Sequence, residues 1–336
     1  MNRTRTNSIC FFLALVVSVL ADRGAAVAKE AVFRIGIIGC DTSHVPAMTK
    51  SLATHHMADG RAMRVVAAFP GGSDDMPISR DRVKGFTDGL AKQGVQIVSS
   101  VEALLPLVDA VLLESVDGRK HLEQVRPVFA AGKPVFIDKP VAASLADVLK
   151  IYQLAKETKT PCFSSSSLRF APELADRTAE KQGATQSCDA YGPCHPQVGH
   201  PDLFWYGIHS VEMLFTVMGT GCESVSRTQT ANAEFVVGVW KGGRIGTVRA
   251  NYQGPARYGV TIFDAKEPKA LSATPGEPEL TAQIAEFFQT GKPPVSAEET
   301  IEIFTFMEAA DESKRQGGKP VQMSDVRKQA EETLAK

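Results

Sequence analysis

The chain has 336 residues, 43% hydrophobic and 22% charged, with a formal net charge of -1. That length supports two domains with cores of their own, and the composition is that of a soluble globular protein. The near-cancelling charge argues against a nucleic-acid partner, whose phosphates call for a basic excess, and leaves room only for a local patch.

Arg3 and Arg5 precede a nearly unbroken apolar run from Ile9 to Leu20, and Ala26-Val27-Ala28 offers a small-x-small cleavage site before Lys29. Residues 1–28 therefore read as a signal peptide, too short for a comfortable membrane span and without a stop-transfer pattern. An uncleaved N-terminal anchor is the alternative. Lipoprotein processing is disfavoured because Cys10 opens the apolar run instead of ending it. The expectation is an exported chain, periplasmic or extracellular, with no membrane contact beyond the signal peptide. Cleavage leaves Cys40, Cys162, Cys188, Cys194 and Cys222, an odd number. Cys188 and Cys194 flank Tyr191-Gly192-Pro193, and two readings are open: a small disulfide loop in an oxidising compartment, or two free thiols. The spacings match no zinc framework, and no metal is expected.

Val32 to Ile38 is a β-rich apolar run ending at Gly39, as a buried parallel strand requires. Thr42 or Ser43 can cap a helix running to about His56, with Pro46 tolerated in its first turn. Further strands are predicted at Arg64–Phe69, Val95–Ser99, Asp109–Leu113 and Val135–Ile137, and a sixth near Pro161 and Cys162. Helices are predicted from Ser100, from His121 to Ala131, and from the capping box Ser144-x-x-Asp147 to Thr158. This alternation predicts a Rossmann-type doubly wound parallel sheet over residues 29–165. Residues 166–325 change character. Glu234–Trp240, Gly246–Tyr252 and Tyr258–Phe263 read as an antiparallel meander, followed by amphipathic helices around Leu280–Phe288 and from Ser296-x-x-Glu299. The second unit is thus an α/β domain with a largely antiparallel sheet, and residues 326–336 read as a C-terminal tail.

The turn after the first strand carries the most information. A dinucleotide fingerprint there is G-x-G-x-x-G, whose glycines permit a tight turn and close approach of a pyrophosphate. This chain has Gly39-Cys40-Asp41-Thr42-Ser43-His44. Asp41 replaces the second glycine and His44 the third. A carboxylate ~4 Å from a phosphate costs about 4 kcal/mol at a protein-surface dielectric. The second strand also lacks a terminal acid for the ribose, ending Phe69-Pro70-Gly71-Gly72. Asp41 is open to two readings: the N-cap of the following helix, or part of a polar cluster with Thr42, Ser43 and His44 that replaces the phosphate cradle. Asp41 and His44 alone are too few ligands for a metal.

Asp138-Lys139-Pro140 follows the fifth strand, at the edge where open α/β sheets bind ligands. Lys139 there either holds or protonates a substrate oxygen, or is an ordinary lysine before a proline turn. Phe204 to Glu212 opens a helix carrying His209, which is either a packed residue or a neutral-pH acid–base group. Trp205 and Tyr206 can stack on a sugar face or pack between the domains. His195, His200 and Asp202 lie just upstream in a Gly/Pro-rich loop.

These pieces together resemble the Gfo/Idh/MocA oxidoreductases, the relatives of glucose-fructose oxidoreductase and inositol dehydrogenase, from Phe33 to Met323. Asp138-Lys139-Pro140 is similar to the family's E-K-P motif, His121 to the histidine opening the helix after its fourth strand, and Trp205-Tyr206-Gly207-Ile208-His209 to its D-x-G-x-H segment. The resemblance extends to Thr290–Ser296. It implies Lys139 and His209 as catalytic residues, with His121, Trp205 and Tyr206 toward the substrate. It places Gly39, Asp41, Thr42, Ser43 and His44 at an NAD(P) site, with oxidation or reduction of a sugar, polyol or related carbonyl compound and a homo-oligomeric assembly. Asp41, His44, the missing ribose acid and Trp205 in place of the motif's aspartate depart from that pattern. The departures leave two alternatives beside the oxidoreductase: a non-redox lyase or hydratase using the same Lys/His pair, and a silent sugar-binding protein.

Overall fold

The structure is a computed structural model and describes residues 31–177, 179–265 and 267–334. The expected signal peptide lies outside the described residues. The first sheet contains β1 (Phe33–Ile38), β2 (Met63–Phe69), β3 (Gln96–Ile97), β4 (Ala110–Leu113), β5 (Val135–Ile137) and β6 (Cys162–Ser164). Their order is β3-β2-β1-β4-β5-β6, and every pair is parallel. β4 and β5 are wholly buried and apolar, as strands covered on both faces must be. The order reverses between β1 and β4, so the switch point where such sheets bind ligands lies at their carboxyl ends.

Five helices connect these strands: α1 (His44–Leu52), α2 (Pro77–Lys92), α3 (Val101–Leu104), α4 (His121–Ala130) and α5 (Leu145–Thr158). Local caps set several of their starts. The Ser100 hydroxyl accepts from Ala103 N–H and that of Ser144 from Asp147 N–H, the capping pattern legible in the sequence. α1 ends at Leu52, short of the expected His56. α2 has no counterpart in the sequence reading, because only Ser79 and Leu90 of its 16 residues are buried and Gly85 and Gly89 dilute its pattern.

The second sheet is mixed and largely antiparallel. It contains β7 (Ser187–Pro193), β8 (Cys222–Gln229), β9 (Ala233–Trp240), β10 (Arg244–Asn251), β11 (Tyr258–Phe263), β12 (Lys269–Ala273) and β13 (Val321–Gln322), in the order β12-β11-β7-β10-β9-β8-β13. The three runs at 234–263 are strands, but they do not form a simple meander. β7 inserts between β10 and β11, parallel to the first and antiparallel to the second. This also answers the disulfide question. Cys188 lies within extended β7 and Cys194 just beyond its far end, so the strand holds them apart; both are buried and free.

The remaining helices are α6 (Ala179–Ala184), α7 (Ile208–Met218), α8 (Glu277–Thr290), α9 (Ala297–Arg315) and α10 (Met323–Leu334). α8 returns to the first sheet, where Leu280, Ile284, Phe287 and Phe288 share a core with Ile35, Ile37, Phe136 and Phe163. The Phe163 and Phe287 rings meet edge to face at 5.0 Å. The segment read as a tail from residue 326 is helical to Leu334. Among the described residues no helix is long and apolar enough to cross a membrane.

Candidate functional site

The turn after β1 does not present its carboxylate to a ligand. Asp41 is fully buried; its carboxyl accepts from the Ser79 hydroxyl at 2.6 Å and from Val116 N–H at 2.9 Å. Burial pushes this carboxyl above its ordinary value, and the Ser79 bond opposes the rise. Neither sequence reading of Asp41 holds. It does not cap α1, where Ser43 is the N-cap residue and Thr42 Oγ1 accepts from His44 N–H. Nor does it face a ligand with Thr42, Ser43 and His44.

Gly39 is required for a different reason than expected. At φ +89° it lies so close to β4's continuation that an added Cβ would fall 2.3 Å from Ser115 N. His121, expected toward the substrate, is wholly buried. Its Nδ1 lies 3.0 Å from the Val141 carbonyl and its Nε2 2.6 Å from the Ser115 carbonyl, so it braces the loops after β4 and β5.

Thr42, Ser43 and His44 do line a cleft, and so do Lys139, Trp205, Tyr206 and His209. The cleft measures ≈ 160 Å³ and lies at the carboxyl edge of the first sheet, against the second sheet's Tyr258. A π-helical turn, Leu203–Gly207, leads into α7 and places Trp205 and Tyr206 there. Buried Arg227 fixes the start of this turn by bonding Asp202, while also pairing with Glu234 and Asp311.

Lys139 Nζ lies 5.5 Å from the Trp205 ring centre and 5.8 Å from that of Tyr206, within cation–π range. Burial lowers the Lys139 ammonium below its ordinary value, with Asp138 opposing. His209 is lowered well below the usual imidazole range by burial first, then by Lys139 and His44. Its Nδ1 shares a hydrogen bond of 2.6 Å with Ser166 Oγ, which also accepts from Leu168 N–H. Glu212 holds that Ser166 segment, accepting from Ser166 N–H and from Arg169. Burial works to raise the Asp138 carboxyl, but the His44 imidazole, Lys139 and its backbone N–H outweigh it and leave it below its ordinary value. The Asp138 carboxylate lies 2.6 Å from His44 Nδ1. Beneath them Glu114 is fully buried with neither carboxylate oxygen hydrogen-bonded, and burial, Asp138 and Asp41 push its carboxyl well above the ordinary value. Asp138 and Ser166 are members of this site that sequence reasoning did not single out. The four-serine run Ser164–Ser167 at the end of β6 is the signal that marks the second.

The switch point decides whether the fold's usual cofactor fits. Ser73–Ser79, the end of the loop after β2 together with the first turn of α2, runs across the carboxyl ends of β1 and β4. Ser73 donates to Asp117, Ser79 to Asp41, and buried Met76 packs on Val116 and Trp205. Cys40 N–H is taken by the Pro70 carbonyl at 2.7 Å. The seat a pyrophosphate would need is thus held by the chain's own backbone and side chains, and these residues do not fit the fingerprint's grip on a dinucleotide. A separate cavity of ≈ 360 Å³ opens beside Phe69, Gly72, Ser100 and Lys120, at the end of β2.

Residues 33–165 match the Gfo/Idh/MocA oxidoreductase family, described by its NAD-binding Rossmann fold. The inositol 2-dehydrogenase of Cereibacter sphaeroides (strain ATCC 17029 / ATH 2.4.9) is 33% identical over 122 residues, 36% of this chain; the match spans about a third (32%) of that protein's length. Two solved structures share the fold across both sheets. The apo scyllo-inositol dehydrogenase from Lactobacillus casei has a TM-score of 0.71 at 14% identity, covering 88% of this chain and 99% of that one. The myo-inositol dehydrogenase from the same organism, in complex with NAD(H) and myo-inositol, has a TM-score of 0.68 at 17% identity, covering 87% and 97%. By sequence the first domain, residues 33–165, matches the Gfo/Idh/MocA oxidoreductase family, and the chain shares the fold of the two inositol dehydrogenases.

Proposed function

We propose that this chain is an oxidoreductase acting on a sugar, polyol or related carbonyl compound, with Lys139 and His209 moving the substrate's proton. The observation that carries the reading is their convergence in one cleft. Burial disfavours the charged form of both groups there, beside the Trp205 and Tyr206 rings. The inositol dehydrogenases among its relatives support the substrate class. A hydride carrier of the NAD(P) class belongs to this reading through the family. Calorimetric titration of the purified chain with NAD(H) and NADP(H) tests it, followed by assay of positive pairs with myo-inositol and aldoses. Absence of binding at millimolar concentration would sink the redox reading.

A second reading, a lyase or hydratase that moves protons without hydride, is favoured by one observation: Ser73–Ser79 lies across the pyrophosphate seat. Incubation with keto-sugars and mass spectrometry of the products separates it from the first. Export to a periplasm or the cell exterior is part of the proposal, supported by the sequence of residues 1–28, and cell fractionation with N-terminal sequencing tests it. A homo-oligomer is proposed on the family's precedent and is measured by light scattering.

A further inference from the structure

We infer that the fingerprint turn has been rebuilt into part of the acid–base machinery, with His44 as a third proton-transfer group of the cleft and Asp138 as the residue that positions it. The inference rests on the reading of Lys139 and His209 given above. His44 stands where the fingerprint has its third glycine, at the first residue of α1, and its side chain lines the cleft with Lys139 and His209. Its Nδ1 is 2.6 Å from an Asp138 carboxylate that is almost fully buried and next in sequence to Lys139. An ionised carboxylate can only accept, so Nδ1 carries the hydrogen of that bond and Nε2 is the nitrogen left to a ligand. Asp138 also accepts from Lys139 N–H at 2.8 Å, which fixes the carboxylate against both partners.

The division of labour follows from the surroundings. Lys139 and His209 are the groups from which burial withdraws charge, and His44 is the one that a carboxylate orients. On an α-hydroxyketone, the α C–H bond breaks and its proton passes to Lys139 or His209. The freed electron pair becomes the new C=C bond, and the carbonyl π pair moves to oxygen, which takes the Nε2 proton of the His44 imidazolium and leaves the neutral ring with its hydrogen on Nδ1, against Asp138. The base gains one proton and His44 loses one, and reversal restores both.

Two measurements on the purified chain test this. The first is nitrogen-15 NMR of labelled histidines, which distinguishes a hydrogen on Nδ1 from one on Nε2. His44 carries it on Nδ1 in the wild type and loses that preference in Asp138→Asn; a neutral wild-type ring with its hydrogen on Nε2 overturns the pairing. The second is exchange of α C–H for deuterium in D2O, with dihydroxyacetone and an inosose as probes. The expected result is wild-type exchange above buffer, reduced at least tenfold in His44→Gln and in Asp138→Asn. Exchange at the wild-type rate in His44→Gln overturns the role of His44 and leaves the Lys139/His209 reading standing. Exchange no faster than buffer in the wild type overturns both.

Discussion

The Ser79 hydroxyl donates to the Asp41 carboxyl at 2.6 Å, joining α2 to the turn after β1. Asp41 therefore works as an internal tie rather than as a blocked cofactor contact. Restoring the fingerprint residue by Asp41→Gly strips the acceptor from Ser79 and from Val116 N–H, both buried. The expected cost is roughly 2–4 kcal/mol, two lost partners at about 1–2 kcal/mol each. Urea unfolding measures it, and an unchanged midpoint contradicts the tie.

His121 is expected to behave as a structural residue. His121→Ala removes the ring wedged between the Ser115 and Val141 carbonyls, with the hydrogen bond it donates, and should lower stability by roughly 1–3 kcal/mol. Where the variant still folds, its KM stays at the wild-type value. A raised KM with an unchanged unfolding curve would return His121 to the substrate.

Lys139 sets activity against stability. Its folded-state pKa is depressed by burial, so the unfolded chain binds the proton more tightly. Stability from this group is present above its ordinary value of 10.5 and is lost as pH falls toward the folded value. Lys139→Met removes that loss. The variant should be more stable than wild type at neutral pH, with the gap closing toward pH 11, while turnover falls by about 100-fold or more. Unfolding curves across pH, paired with the assay, check both signs.

The free cysteines give a third kind of test. Cys188 and Cys194 are fully buried, and burial raises both thiols, Cys194 to about 12. A thiol reagent should leave them unmodified in the native chain and label both after unfolding. Reducing agent should leave the thermal midpoint where it was. A peptide carrying a Cys188–Cys194 bond would contradict the fold of β7.

Elements whose signals are local were legible in the sequence. Val135–Ile137 is a run that only a covered strand explains, and Ser144 and Ser296 declare their helices through the residue three positions on. β7 was not legible. Ser187–Pro193 contains two polar residues and ends in Gly192-Pro193, and what makes it a strand is pairing with β10 and β11, more than fifty residues later. The site divides the same way. Lys139 and His209 lie in short motifs, whereas the direction of Asp41 depends on a serine 38 residues away and the partner of His44 lies 94 residues on.

The insertion of β7 between β10 and β11 also bears on how the molecule assembles. The strand emerges first among its sheet but has no neighbour until the chain has reached β10, and lacks its second until Phe263. Its closing contacts are long-range, and such contacts form late because loop-closure entropy must be overcome before they stabilise anything. The segment from Cys194 to His209 hangs directly from the end of that strand. On this topology His209 is expected to reach the cleft late, after β10 and β11 have paired with β7.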